Sequence, residues 1–74
     1  MFKIKSEKVL HTINCLEFTL ENDDKLTCTF KEFEKIHDGE DMQFESYNGA
    51  TYEPVYEDVK YSDEQPDLLG FNKI

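Results

Sequence analysis

The side chains with chemistry to offer in this 74-residue chain are seventeen carboxylates, two cysteines, two histidines and four tyrosines. Zinc sites need thiolates and imidazoles at short, regular spacings. Cys15, Cys28, His11 and His37 contain no CxxC or HxxxH pair, so no metal site is expected. Asp38-Gly39-Glu40-Asp41 resembles a calcium loop only superficially. It lacks the alternate acids, the central glycine and the closing glutamate that such a loop needs. No nucleophile elbow, Gly-rich phosphate loop or paired histidine is present. His37 has no nucleophile or acid beside it in a recognisable arrangement and reads as a helix-terminal charge. The expectation is a protein that is not an enzyme and uses no cofactor.

What remains is charge and aromatic surface. The formal charge is −9, and all eight basic residues are Lys. Without Arg the chain lacks the usual bidentate reader of phosphates. A charge this negative disfavours nucleic acid and anionic membranes as direct partners and favours a basic protein surface. The charge is lopsided. Residues 1–37 hold seven acids and six lysines, net −1, whereas residues 38–74 hold ten and two, net −8. In the second half Tyr47, Tyr52, Tyr56 and Tyr61 interleave with Glu45, Glu53, Glu57 and Asp58, and Asp63 and Glu64 follow. Tyr is enriched at interface hot spots, and carboxylates steer and pair with a partner's Lys and Arg. These ten residues, with Leu68, Leu69 and Phe71 near the C-terminus, are the candidate partner-binding set.

The function read from this pattern is a small acidic inhibitor or adaptor. Its sharpest form is a nucleic-acid mimic. Alternate carboxylates on a strand recur about every 7 Å, and DNA carries one charge per ~3.4 Å along each strand. Glu45, Glu53, Glu57, Asp58, Asp63 and Glu64 would then stand in for phosphates in the cleft of a nucleic-acid-binding protein. In size, acidity and lack of enzyme motifs the chain resembles phage-encoded anti-restriction and anti-CRISPR proteins, a likeness of composition that implies an anti-defence role. The alternative is an assembly module, a homodimer or stable complex built through Leu68, Leu69 and Phe71, with the acidity serving solubility.

The elements that position these residues are read from periodicity. Leu16, Phe18 and Leu20 alternate with Glu17, Thr19 and Glu21, and Leu26, Cys28 and Phe30 continue the alternation after Asn22-Asp23-Asp24. Period two marks half-buried strands. A three-residue loop at 22–24 puts both apolar sets on one face, pairing Leu20 with Leu26 and Leu16 with Phe30. The spacing then changes to three at Phe30, Phe33 and Ile36, which predicts a helix over about 30–37. Thr29 and Glu32 form its capping box and Gly39 stops it. Phe2 and Ile4 begin a first strand, interrupted at Ser6-Glu7-Lys8 and resumed at Val9-Leu10. Asn48-Gly49 predicts a second hairpin whose loop, of two or three residues, is left open by parity. Pro54 lacks an amide donor and demotes its strand to an edge or a bulge. Pro66 opens, and Gly70 closes, a single helical turn. The Leu-Leu-x-Phe tail either folds back onto the core or docks in a partner's groove.

Together these give one small α+β domain: an antiparallel sheet of four to five strands with one short helix, or an all-β sheet if the helix is only a turn. Residues 1–37 form a near-neutral hairpin-helix half, 38–61 an acidic Tyr-rich hairpin and 62–74 an acidic linker and apolar tail. A domain this short is marginal alone. Cys15 and Cys28 fall on opposite hairpin faces and are expected as reduced thiols. No secretory leader or apolar run near the ~18 residues of a membrane span is visible, so a cytoplasmic location is expected.

Overall fold

A computed structural model describes residues 1–57 and 66–74. It shows the expected small α+β fold with one short helix, but its six described strands form two three-stranded antiparallel sheets rather than one sheet of four to five. The first sheet has the order β1 (Ile4–Leu10), β2 (Cys15–Leu20), β3 (Lys25–Thr29). Helix α1 (Phe30–His37) follows, and then a second sheet in the order β4 (Phe44–Glu45), β5 (Thr51–Tyr56), β6 (Leu68–Lys73). Both sheets turn one apolar face to a shared core of Leu16, Phe18, Leu20, Leu26, Cys28, Ile36, Phe44, Tyr52 and Phe71.

The first hairpin obeys parity but not the expected register. Phe18 pairs with Leu26 and Leu16 with Cys28. The loop is Glu21-Asn22-Asp23, one residue earlier than expected, and still three residues long. Leu20 N donates to Asp24 O at 2.9 Å and Asp23 N to Leu20 O at 2.9 Å. Asp23 sits at φ 66°, completing the turn-plus-left-handed-residue pattern of three-residue hairpins. Phe30, expected opposite Leu16, instead begins α1 and stays 43% exposed.

Helix α1 spans the expected residues. Thr29 Oγ1 accepts from Glu32 N at 3.1 Å, and Glu32 Oε1 accepts from Thr29 N at 2.9 Å. Gly39, at φ 79°, ends the helix as expected of a left-handed cap. Ile36 is buried, and Phe33 packs on Phe18 at a ring separation of 6.2 Å.

Three other expectations are corrected. β1 runs unbroken through Ser6-Glu7-Lys8, because a bulge between Ile4 and Ser6 absorbs the irregularity while pairing to β2 continues. The tail is a strand, not a helical turn: Leu68–Lys73 pairs with β5 and buries Phe71. β5 is therefore the central strand of its sheet despite Pro54. β4 pairs only with Thr51 and Tyr52, so Pro54 has a strand neighbour on the β6 side alone. Ile74 N donates to Thr51 O. The period of two then directs the Thr51, Glu53 and Val55 amides toward β6, and the proline nitrogen toward the side where β4 has ended.

The two sheets are joined edge to edge at both ends. Phe2 N donates to Phe71 O at 2.8 Å and Phe71 N to Phe2 O at 2.9 Å. On the other side Leu26 bridges Ser46, and Tyr47 N donates to Lys25 O at 2.9 Å. Strand contact thus runs from β1 round to β6 and back to β1. A row of rings crosses the enclosed space: Phe33 on Phe18, Phe18 on Phe71 and Phe71 on Phe44, with centroids 6.2, 5.9 and 6.0 Å apart. Each fully buried large apolar side chain contributes roughly 1.5–3 kcal/mol. The exposed Lys5–Asp23 pair at 2.7 Å is screened by solvent and adds little. Apolar closure, not ion pairing, holds the fold.

Gly70 sits where the N-terminal segment crosses β6. A Cβ there would lie 2.4 Å from Phe2 O and 3.0 Å from Phe2 C, both backbone atoms that cannot rotate away. Gly70→Ala should part the Phe2–Phe71 bridge and lower stability by about 2 kcal/mol or more in urea unfolding. Gly49→Ala is the control. It meets open space and carries only the strain of φ 81°, about 1 kcal/mol. A smaller loss for Gly70→Ala than for Gly49→Ala would show that the crossing is loose.

Candidate functional site

The second hairpin repeats the construction of the first. Ser46 N donates to Ala50 O at 2.8 Å and Gly49 N to Ser46 O at 3.0 Å, leaving the three-residue loop Tyr47-Asn48-Gly49 with Gly49 at φ 81°. The loop length left open by the sequence is therefore three. Phe44 and Tyr52 pair on the inward face, and Glu45 pairs with Thr51 on the outward face. Glu53, one residue beyond Tyr52, also faces outward, opposite Asn72 of β6.

The described tyrosines, Tyr47, Tyr52 and Tyr56, do not form an open binding surface. Tyr52 is 1% exposed. Its hydroxyl donates to Asp24 Oδ2 at 2.8 Å and accepts from Asn22 Nδ2 at 3.1 Å. Tyr47 is 59% exposed, and its hydroxyl donates to Glu17 Oε2 of β2 at 2.7 Å. Tyr56, partly buried, donates to the Glu40 carbonyl at 2.8 Å. Tyr52 and Tyr47 tie the second hairpin to the first, and Tyr56 ties the connection after α1 to β5. Phe71 lies in the core at 0% exposure and Leu68 packs against it, whereas Leu69 is exposed. Tyr52 and Phe71 are thus withdrawn from the partner-binding set, because closing the two sheets over one core needs both rings. Asp58, Tyr61, Asp63 and Glu64 lie outside the described residues.

The seam between the hairpins centres on Asp24, a buried carboxylate. Besides Tyr52 it accepts from Lys25 N at 2.9 Å and from Asn48 Nδ2 at 3.2 Å, both at Oδ1. Burial alone would raise its pKa. Hydrogen bonds from Ser46, Tyr52, Lys25 and Asn48 outweigh burial and hold it below the ordinary aspartate value. Burial foremost, with Asp24 as acceptor, pushes the Tyr52 phenol up. The hydrogen bond to Glu17 does the same for Tyr47. Burial, with Asp41 and Glu40 nearby, raises Tyr56. Sequence reasoning assigned Asp24 to a turn. The Asn-Asp-Asp run carried no sign that one of its acids turns inward to meet a tyrosine 28 residues on.

Of the carboxylates in the candidate set, the described ones, Glu45, Glu53 and Glu57, are exposed. Glu45, Glu53 and Glu57 have no lysine within 4.0 Å among the described residues, where the ion pairs are Lys5–Asp23 and Lys25–Glu17. Neighbours two residues along and one strand across lie roughly 7–8 Å apart, which sets the scale for Glu45 and Glu53. Asp38, Glu40 and Asp41 add exposed acids between α1 and β4. An open groove of about 480 Å³ there is lined by Lys35, Glu40, Asp41, Met42 and Gln43. No group of three metal-ligating side chains occurs among the described residues. Cys28 is buried, with its thiol pushed up to about 12 chiefly by burial, and so is a poor nucleophile. No described helix is long and apolar enough to cross a membrane. No protein-family model matches the chain, and no curated protein or solved structure is significantly similar to it.

Asp24→Asn or Tyr52→Phe should lower stability by about 1–3 kcal/mol at neutral pH. A carboxylate whose folded pKa is depressed stabilises the fold above its unfolded value and loses that contribution as pH falls through the folded value. The Asp24 share of stability is therefore lost below about pH 4. Asp24→Asn should flatten the acid limb of a stability–pH curve, leaving the share of Asp23, which Lys5 holds low. The three tyrosines act at the other end. Their raised folded pKa values stabilise fully below about pH 10 and less as pH rises through the folded values. An acid limb unchanged in Asp24→Asn would show that Asp24 is not ionised in the fold.

Proposed function

We propose that the protein is a small acidic binding module that docks on a basic protein surface, with mimicry of a nucleic-acid backbone as its mode of inhibition. The observation that carries this reading is the outward face of the second sheet. Glu45 and Glu53 stand on paired strands at a spacing fixed by the backbone, with no lysine beside them among the described residues. Glu57 continues the series at the end of β5, and Glu40 and Asp41 extend it toward α1. The paired strands fix where these side chains leave the backbone, and like-signed charge on one face steers a basic partner into contact.

The assembly alternative has less support. Phe71 is wholly buried and Leu68 packs on the core, so of the three residues meant to build an interface Leu69 alone is exposed, at 42%.

The test compares the wild type with Glu45→Gln/Glu53→Gln/Glu57→Gln as immobilised bait in cytosolic extract, at low and high salt. These side chains are exposed, so the fold should survive, as circular dichroism will check. The wild type should capture a nucleic-acid-binding protein at low salt and release it at high salt, and added DNA or RNA should compete. The triple variant should capture at least tenfold less, since each lost close charge pair costs on the order of 1 kcal/mol or more. Equal capture by the variant would sink the proposal.

A further inference from the structure

Asn48-Gly49 is a hairpin signal in the sequence, but the pair has a second chemistry. A glycine after an asparagine leaves its amide nitrogen open to attack the neighbouring side-chain carbonyl. A new bond forms between Gly49 N and Asn48 Cγ, and the Cγ–Nδ2 bond breaks. Ammonia leaves, carrying the proton lost by Gly49 N. Water then opens the cyclic imide at either carbonyl, yielding aspartate or isoaspartate. The other asparagines precede larger residues: Asn14-Cys15, Asn22-Asp23 and Asn72-Lys73.

Both reacting groups of Asn48-Gly49 are engaged in the fold. Asn48 Nδ2 donates to Asp24 Oδ1 at 3.2 Å, and Gly49 N donates to Ser46 O at 3.0 Å. Attack requires the side chain to leave Asp24 and the turn to open. The loop is otherwise accessible: Asn48 and Gly49 are exposed, and nothing lies within 4 Å of a Cβ built on Gly49.

We propose that Asn48 is a deamidation site latched by Asp24, protected while the two hairpins are joined and weakening their seam once converted. The product carries a carboxylate where a donor stood. Asp24 would then face a second negative charge, with Tyr52, Ser46 and Lys25 N left as its donors and Asn22 bonded to the Tyr52 hydroxyl. A carboxylate at position 48, exposed but beside the buried Asp24, repels it. Reclosure of the seam is disfavoured, so conversion is one-way and marks molecules that have opened.

Two measurements test this. In the first, wild-type protein is aged at mildly alkaline pH, folded and in urea, and all four asparagines are followed by peptide mapping. In urea Asn48 should convert ahead of Asn14, Asn22 and Asn72, and folding should slow it at least tenfold. Equal rates folded and unfolded, or slower conversion of Asn48 than of the others in urea, would overturn the proposal. In the second, Asn48→Asp should lower the folded-to-unfolded ratio by about tenfold, the scale of one lost hydrogen bond. The exchange Asp24→Asn/Asn48→Asp, which restores one donor and one acceptor across the seam, should recover part of that loss. An Asn48→Asp variant as stable as the wild type, or an exchange that recovers nothing, would also overturn it. If Asn48→Asp fails to fold, the ageing rates still decide.

Discussion

The hydrogen bond from the Tyr52 hydroxyl to the buried Asp24 carboxylate joins the two hairpins at the place where each is weakest. Each has just turned there, and a turn leaves backbone and side-chain polar groups without ladder partners. Asn22, Asp24, Asn48 and Tyr52 satisfy one another, Ser46 Oγ accepts from Ala50 N, and no buried side-chain polar atom is left without a partner among the described residues. A carboxylate in this position is destabilising unless it is fully hydrogen-bonded. Four donors acting on one residue make the seam specific: a slip in either hairpin would leave a charge buried and unpaired.

The same geometry explains why the hairpins share a form. A three-residue loop ending in a left-handed residue keeps the apolar sets of its two strands on one face. Asp23 fills the left-handed position in one hairpin and Gly49 in the other. Both turns therefore arrive with the same twist, and Leu26 can bridge Ser46 between them. At the opposite edge Gly70 permits the Phe2 backbone to lie against β6. With both edges joined, neither three-stranded sheet has to stand as a half-covered layer, and a chain of this length gains one core instead of two inadequate ones.

Local patterns were legible in the sequence, and long-range ones were not. The Thr29–Glu32 capping box and Gly39 fixed α1 to the residue, because every signal involved lies within a few positions of the helix ends. Parity gave the correct face for the first hairpin, though not its register, since shifting the loop by one residue at constant length preserves every inward side chain. β6 was unreadable because Leu-Leu-Gly-Phe does not alternate. Its bulge opposite Val55 and Tyr56 lets Leu68 pack inward two residues before Gly70 crosses Phe2. Pro54 misled because the rule concerns a missing donor, and a central strand tolerates it where one neighbour has ended. Within the candidate site Glu45, Glu53 and Glu57 are exposed, as is Tyr47, whereas Tyr52 is buried. A tyrosine suits an interface and a polar seam for the same reason, a large ring with one hydroxyl, and sequence does not distinguish the two.

That reassignment changes what a partner would meet on the second sheet. With Tyr52 buried and the Tyr47 and Tyr56 hydroxyls engaged internally, aromatic packing contributes less to docking than the bare sequence suggests. The outward face offers Glu45 and Glu53 beside short side chains such as Thr51 and Val55. Recognition through such a face rests on fixed charge, which governs the rate of encounter and its sensitivity to salt more than the depth of the bound state. The core carries the cost of that arrangement. Exposed carboxylates repel one another in the free protein, and the row from Phe33 to Phe44 must supply stability that the face cannot. Concentrating the acids in residues 38–74 while the near-neutral half provides β2, β3 and α1 separates the two tasks. One half supplies most of the apolar packing, and the other, among its described residues, presents Glu45, Glu53 and Glu57 at the surface.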